Sequence, residues 1–312
     1  MVLWYIGTIY GLANMSNNNK MAPGIPGLSD NTKGILWMLI ATFLFAVVAA
    51  MAKVIVHEVH VLQILLFRQI FVFASTVPAI AKSPTQIFVT RHPWMHAARL
   101  LGAFVALACG IWAVSVLPLT AAITLGFAQV FFVALLAKAF LGEHVGLRRM
   151  MAVMVGFIGV IIVMRPGADE IINFSALIPI VGALGAGVAV IAVRRLSQTE
   201  TTASLLVYQA IFVGLLAAIP LIWYWKNPSQ FELLMLIAMG ILSAAGQWAG
   251  VKSLRLGEAS VVGNIEYMKL IHAAILGFIL FSEIPDIYTI TGAATIVGSS
   301  LYMFRREAKL TP

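Results

Sequence analysis

The sequence predicts an all-α integral membrane protein of ten transmembrane helices, arranged as two inverted five-helix repeats. Three observations carry this. Hydrophobic residues make up 61% of the chain and charged residues 10%, against roughly 25% charged in soluble domains. The apolar runs are about 20 residues long, the length that crosses a hydrocarbon core of ~30 Å. The chain also matches itself 140 positions on: Leu65-Leu66-Phe67-Arg68-Gln69 recurs as Leu205-Leu206-Val207-Tyr208-Gln209, and Phe140-Leu141-Gly142-Glu143 as Leu280-Phe281-Ser282-Glu283. Each copy has room for five spans. Five is odd, so the second copy enters the membrane from the opposite side, the construction common in carriers that open a central site to alternate faces.

The spans of the first repeat, residues 34–165, fall near 34–53, 60–80, 95–115, 119–140 and 149–165. Those of the second, residues 174–306, fall near 174–193, 203–225, 231–252, 259–281 and 286–304, with Asn173 to Ser175 as the join. Short polar segments separate them, which leaves no space for a soluble domain. Pro118, Pro166, Pro228 and Pro285 lie at or near span ends, where a missing N–H does little harm; Pro78, Pro179 and Pro220 lie just inside and kink a terminal turn. Residues 1–33 form a tail whose Pro- and Gly-rich stretch from Ala22 to Asp30 reads as disordered. Met1 to Leu12 is too short to span and lacks the basic start of a secretory signal, so Met15 and Met21 are alternative starts. Residues 307–312 form a C-terminal tail.

The net charge of +8 encodes topology. With the N-terminus inside, the cytoplasmic segments hold Lys20, Lys33, Lys82, Arg91, Arg148, Arg149, Arg194, Arg195, Lys252, Arg255, Arg305, Arg306 and Lys309, and the opposite side only Lys53, Arg165 and Lys226. That asymmetry puts both termini in the cytoplasm of a bacterial-type inner membrane. A nucleic-acid role would need a basic soluble face, which is lacking. Cys109, the single cysteine, allows no intrachain disulfide and no thiolate metal site. No cofactor is implied. The expected partners are the lipid bilayer and a small-molecule substrate, in a monomer or a homodimer.

Glycines mark close helix approach: Gly156 and Gly159, Gly182, Gly185 and Gly187, the GxxxG of Gly246 and Gly250, and Gly292 and Gly298. They serve packing inside the bundle or a dimer interface.

At the ends of spans four and nine the residues resemble a known family. Leu117-Pro118-Leu119-Thr120-Ala121-Ala122 followed by Phe140-Leu141-Gly142-Glu143 resembles the span-four signature of EamA-type carriers of the drug/metabolite transporter superfamily. Glu266-Tyr267-Met268-Lys269 and Leu280-Phe281-Ser282-Glu283-Ile284-Pro285-Asp286 look like the matching stretch of the second EamA repeat, and Gly156-Phe157-Ile158-Gly159-Val160 like the fifth span. The similarity covers residues 34–306. It implies a ten-helix bundle with a central cavity, spans five and ten peripheral, carrying a small metabolite by alternating access. Members of that superfamily export amino acids and toxic metabolites or take up nucleotides, vitamins and cofactors.

Four basic residues lie within spans. Arg99 and Lys138 fall near cytoplasmic ends and are expected to snorkel to the headgroups. Arg68 and Lys269 lie roughly 12–15 Å deep at about 1.5 Å per residue. A charge there must be paired or face water, so it points into the bundle. Glu266 is the one deep acid, three residues before Lys269 on a neighbouring face, and His272 follows three further on. Two readings stand: Glu266 neutralises Lys269 or Arg68 and fixes helix register, or these residues form a substrate- and proton-binding cluster. Glu266 is then the proton-coupling residue. Gln129 occupies the repeat position of Lys269, and Tyr208 that of Arg68; Gln69 matches Gln209, and Thr124 matches Asn264. Tyr267, inside the stretch that carries the resemblance, joins the substrate-binding candidates. Trp112 and Trp248, with Gln247 beside the latter, are aromatic walls for an organic ligand or interface anchors. Glu143 and Glu283 end spans four and nine, where they bond to neighbouring helix N-termini or gate opposite faces.

The expected function is therefore secondary transport of an amino acid, vitamin, nucleotide-like compound or organic anion. A passive channel or facilitator is one alternative and a membrane-embedded enzyme another. The enzyme would need a nucleophile with its base, paired carboxylates or metal ligands, and the chain has one deep acid and no such motif.

Overall fold

Hydrophobic spans that cannot hydrogen-bond to lipid must satisfy their backbone internally, and among the described residues the computed structural model is helical with no strand. It describes residues 29–82, 90, 92–141, 147–164, 174–196, 200, 202–256 and 265–310. Glu143, the repeat join at Asn173 and most of the basic loop residues lie outside these.

The first half consists of α1 (Asp30–Ile55), α2 (Val61–Lys82), α3 (Pro93–Val116), α4 (Leu119–Gly126), α5 (Gln129–Leu141) and α6 (Leu147–Met164). A 3₁₀ turn at Phe174–Ala176 leads into α7 (Leu177–Leu196), followed by α8 (Thr202–Tyr224), α9 (Gln230–Leu256), α10 (Met268–Phe281) and α11 (Ile287–Leu310). The helix starts carry their own caps. Ser29 Oγ accepts from Thr32 N–H at α1, and Ser229 and Glu232 exchange side-chain and backbone bonds at α9, a capping box. Asp286 accepts from Thr289 N–H at α11.

Seven helical stretches are long and apolar enough to cross a membrane, with two shorter apolar helices at Met150–Met164 and Met268–Phe281. Their outward faces expose Ile222, Trp223, Phe278 and Ile279, a density of bare apolar surface that water-soluble proteins avoid. The protein is a multi-pass membrane protein. α11 is more polar, and its hydroxyls turn inward on their own helix: Thr291 and Thr295 each donate to the carbonyl four residues back.

The packing repeats with the sequence. α3 lies along α7 and α1 along α9, and these two contacts exchange under the 140-residue offset; α2 packs on α8 and α6 on α11, each pairing a helix with its own counterpart. Glycines set the closest approaches. A Cβ at Gly102 would lie 2.5 Å from the Gly185 carbonyl, and one at Gly292 would lie 2.7 Å from the Gly159 carbonyl. Gly246 faces Leu44 and Phe45 of α1, so that half of the GxxxG packs inside the bundle. α6 and α11 lean on each other at one flank, and the other helices enclose the centre.

Candidate functional site

Two turns build the site, at equivalent places in the two halves. α4 stops at Gly126 and α5 begins at Gln129; 140 residues on, a turn at Glu266–Tyr267 precedes α10. The backbone tightens identically at both. Val130 N–H donates to the Phe127 carbonyl at 3.1 Å, and Leu270 N–H to the Tyr267 carbonyl at 3.0 Å. Such three-residue bonds tighten the backbone to a 3₁₀ turn, and Gln129, Glu266 and Lys269 beside them line the same space.

That space is a cavity of about 280 Å³. Its polar wall combines Arg68 of α2, Gln129 of α5, Gln209 of α8, Gln247 of α9, Glu266 and Lys269, and Phe45 and Phe127 supply aromatic faces. Arg68 Nε donates to Ser243 Oγ at 3.0 Å, which locks the guanidinium across the α2–α9 contact. Lys269 Nζ stands 5.9 Å from the centre of the Phe45 ring, and the charges of Glu266 and Arg68 both reach it. Two cations and one carboxylate thus share a largely apolar chamber, with one positive charge in excess.

Of the residues singled out from sequence, Arg68, Gln129, Glu266 and Lys269 line this cavity. Tyr267 does not line it; its ring packs on Phe127 with centroids 5.1 Å apart. His272 turns toward α1, edge-on to Phe43 at 5.6 Å. Trp112 is half exposed on the outer face, and Trp248 sits edge-on to Trp37 with Lys252 over both rings. Tyr208 covers His96, ring to ring at 4.5 Å, in a separate cluster. Gln209 and Gln247 belong to the cavity, and the sequence carried a signal for each: Gln209 repeats Gln69, and Gln247 adjoins the Trp248 chosen in its place. Phe45 had no such signal. Arg99 departs from its expected snorkelling. It is fully buried and donates to Gln209 Oε1 at 3.1 Å, because its face of α3 packs on α8 rather than toward the headgroups.

Polar contacts tie elements together at both ends of the bundle. At one end Lys53 of α1 pairs with Glu283 after α10; Lys53 also donates to the Leu117 carbonyl, and Glu283 accepts from Leu119 N–H at the start of α4. Beside it, Gln63 bonds the backbone of Lys226, and His60 stacks on Tyr224. At the other end Glu200 accepts from Thr90 Oγ1 at 2.6 Å and lies 2.5 Å from His96 Nε2. The His60 and Glu200 contacts are repeat-related, since these two residues stand 140 positions apart.

Comparison with known proteins agrees with this arrangement. A crystal structure covering 90% of this chain and 100% of its own shares the fold at TM-score 0.60 and 15% identity. The S-adenosylmethionine uptake transporter of Rickettsia prowazekii is 26% identical over 282 residues, covering 90% of this chain and 96% of the relative. The riboflavin transporter of Vibrio cholerae is 28% identical over 285 residues, covering 89% and 94%. The pseudopaline exporter CntI of Pseudomonas aeruginosa is 26% identical over 278 residues, covering 88% and 96%. The EamA-like transporter family matches residues 32–165 and 173–305, nearly all that is described here. With two repeated halves and a charged cavity between them, the chain belongs to the EamA-like transporter family and is a membrane transporter of small metabolites, not an enzyme.

Proposed function

We propose that the protein is a ten-span secondary transporter that moves an organic metabolite bearing a carboxylate or phosphate, free or within a zwitterion, by alternating access. One observation carries the substrate class: Arg68, Lys269 and Glu266 face a single cavity, with one positive charge in excess. S-adenosylmethionine and riboflavin, named for the relatives, are the first compounds to assay. Both termini lie in the cytoplasm. In a Cys109→Ala background, cysteine at Ser229 labels with an impermeant thiol reagent in intact cells and cysteine at Ser29 does not.

Glu266 serves as the coupling residue. A substrate anion that engages Lys269 and Arg68 releases Glu266 from them, and the carboxylate then takes up a proton that travels with the substrate. Proteoliposomes test this. Uptake of labelled candidates is saturable, and Arg68→Gln weakens it about 10- to 100-fold, the range of a lost charge-assisted bond of roughly 1.5–3 kcal/mol. Glu266→Gln abolishes dependence on the pH gradient and leaves exchange intact. If Glu266 only neutralises Lys269, the variant instead loses about 3–5 kcal/mol of stability. A substrate that is a simple cation without any anionic group would overturn the specificity, and unitary conductance in a planar bilayer would overturn the carrier mechanism.

A further inference from the structure

The cavity has walls of opposite chemistry. Its charged and amide groups come from α2, α5, α8, α9, α10 and the turn before α10, whereas the residues that α3, α4 and α7 supply, among them Leu107, Gly110, Ile111, Ala122, Gly126 and Ala183, form an apolar lobe with no polar side chain. Gly110 and Gly126 differ from the packing glycines. A Cβ at Gly182 would press on Cys109 at 2.9 Å, whereas a Cβ at Gly110 or Gly126 meets nothing within 4 Å. Neither has a positive φ that would demand glycine. Their missing side chains widen the lobe without letting helices touch. At its inner edge, three residues beyond Gly126, stands Gln129, which is 5% exposed, lines the cavity and has no hydrogen-bond partner among the described residues.

We propose that this lobe receives a nitrogen-containing aromatic ring of the substrate, whose donor–acceptor edge pairs with the Gln129 amide while the tail of the same molecule meets Arg68, Glu266 and Lys269. The inference rests on the cavity being the substrate site. An alkyl group would fill the lobe and leave Gln129 unmatched, because a buried amide needs both a donor and an acceptor opposite it. A sugar would bury hydroxyls against Leu107 and Ala122, which offer them no partner. A flat ring suits walls of glycine and alanine, and its polar edge suits one amide.

Calorimetric titration of purified full-length protein tests this with three probes. S-adenosylmethionine and flavin mononucleotide carry both a ring and a charged tail, and methionine carries a tail alone. Wild-type protein binds at least one ring-bearing probe ten-fold or more tighter than methionine. Gly110→Leu and Gly126→Leu remove that advantage and leave methionine binding within about two-fold. Gln129→Leu lowers ring-probe affinity several-fold more than it lowers methionine affinity. The double variant Gly110→Ala/Gly126→Ala guards against misfolding, since the added methyls meet no atom; it elutes as wild type and binds the ring probe more weakly. Wild-type protein that prefers neither ring-bearing probe to methionine overturns the lobe assignment, as do leucine variants that retain the preference. Failure of the cavity reading itself is distinguishable: Arg68→Gln would then bind every probe as wild type does.

Discussion

Phe127 and Tyr267 stack with ring centroids 5.1 Å apart and planes 30° from parallel, and they are counterparts of one another, 140 residues apart in the two repeats. A residue that touches its own repeat mate lies on the pseudo-two-fold axis. Each also accepts the tightened backbone bond at the start of α5 or α10. This pair therefore sits where the two halves meet, beside the charged wall.

Removing this ring contact should loosen both halves together. Phe127 is buried, so Phe127→Ala should cost about 3 kcal/mol or more, read as a lower unfolding temperature in detergent. Tyr267→Phe keeps the ring contact and should retain both stability and transport. Equal damage from the two variants would place the importance in the tyrosine hydroxyl instead.

The Lys53–Glu283 pair predicts a gate. It joins α1 to α10 and, through Leu117 and Leu119, to the α3–α4 corner. Glu283→Gln keeps an acceptor for Leu119 N–H and deletes the charge. A reporter cysteine at Ile111, in the Cys109→Ala background, should then label several-fold faster with an impermeant reagent. Lys53→Met should do the same, and the double variant no more than either. Unchanged labelling would reduce the pair to a structural tie.

At the opposite end, His96 and Glu200 are nearly inaccessible to solvent, with Thr90 and Tyr208 around them. His96→Leu removes one partner of a buried carboxylate, whereas Glu200→Gln leaves a neutral amide that still bonds Thr90. The first should destabilise more than the second. A double-mutant cycle should give a coupling of about 0.5–3 kcal/mol. Additive single effects would mean that the two side chains do not act as a unit.

His60 supplies a pH dependence outside the spans. Burial and the charge of Lys226 lower its pKa below the ordinary 6.5. The unfolded chain then binds this proton before the folded one does. The stability linked to neutral His60 is therefore complete above about pH 6.5 and falls as the pH drops toward the folded pKa. His60→Gln should flatten that acid limb of a thermal-shift profile and leave the neutral limb parallel to wild type. An unchanged acid limb would assign it to other groups.

Much of the site was legible because a charge in an apolar run carries its own address. Arg68, Glu266 and Lys269 had to face protein rather than lipid, and the 140-residue repeat then pointed from Lys269 to Gln129. The helical bundle and its two halves followed from composition, span length and that same repeat. What the sequence could not determine by itself was rotation. A span that is apolar on every side has no hydropathic face, so packing decides which residue turns inward. On α9, Gly246 presses against Leu44 and Phe45 of α1. A helix turns about 100° per residue, which directs Gln247 into the cavity and Trp248 out toward Trp37 and Lys252. The α3–α8 contact buried Arg99 beside Gln209 in the same way, against the expectation that a basic residue near a span end reaches the headgroups. Hydrophobicity determined that these segments enter the membrane, and the close fit of glycine-bearing helix faces decided which side chains meet at its centre.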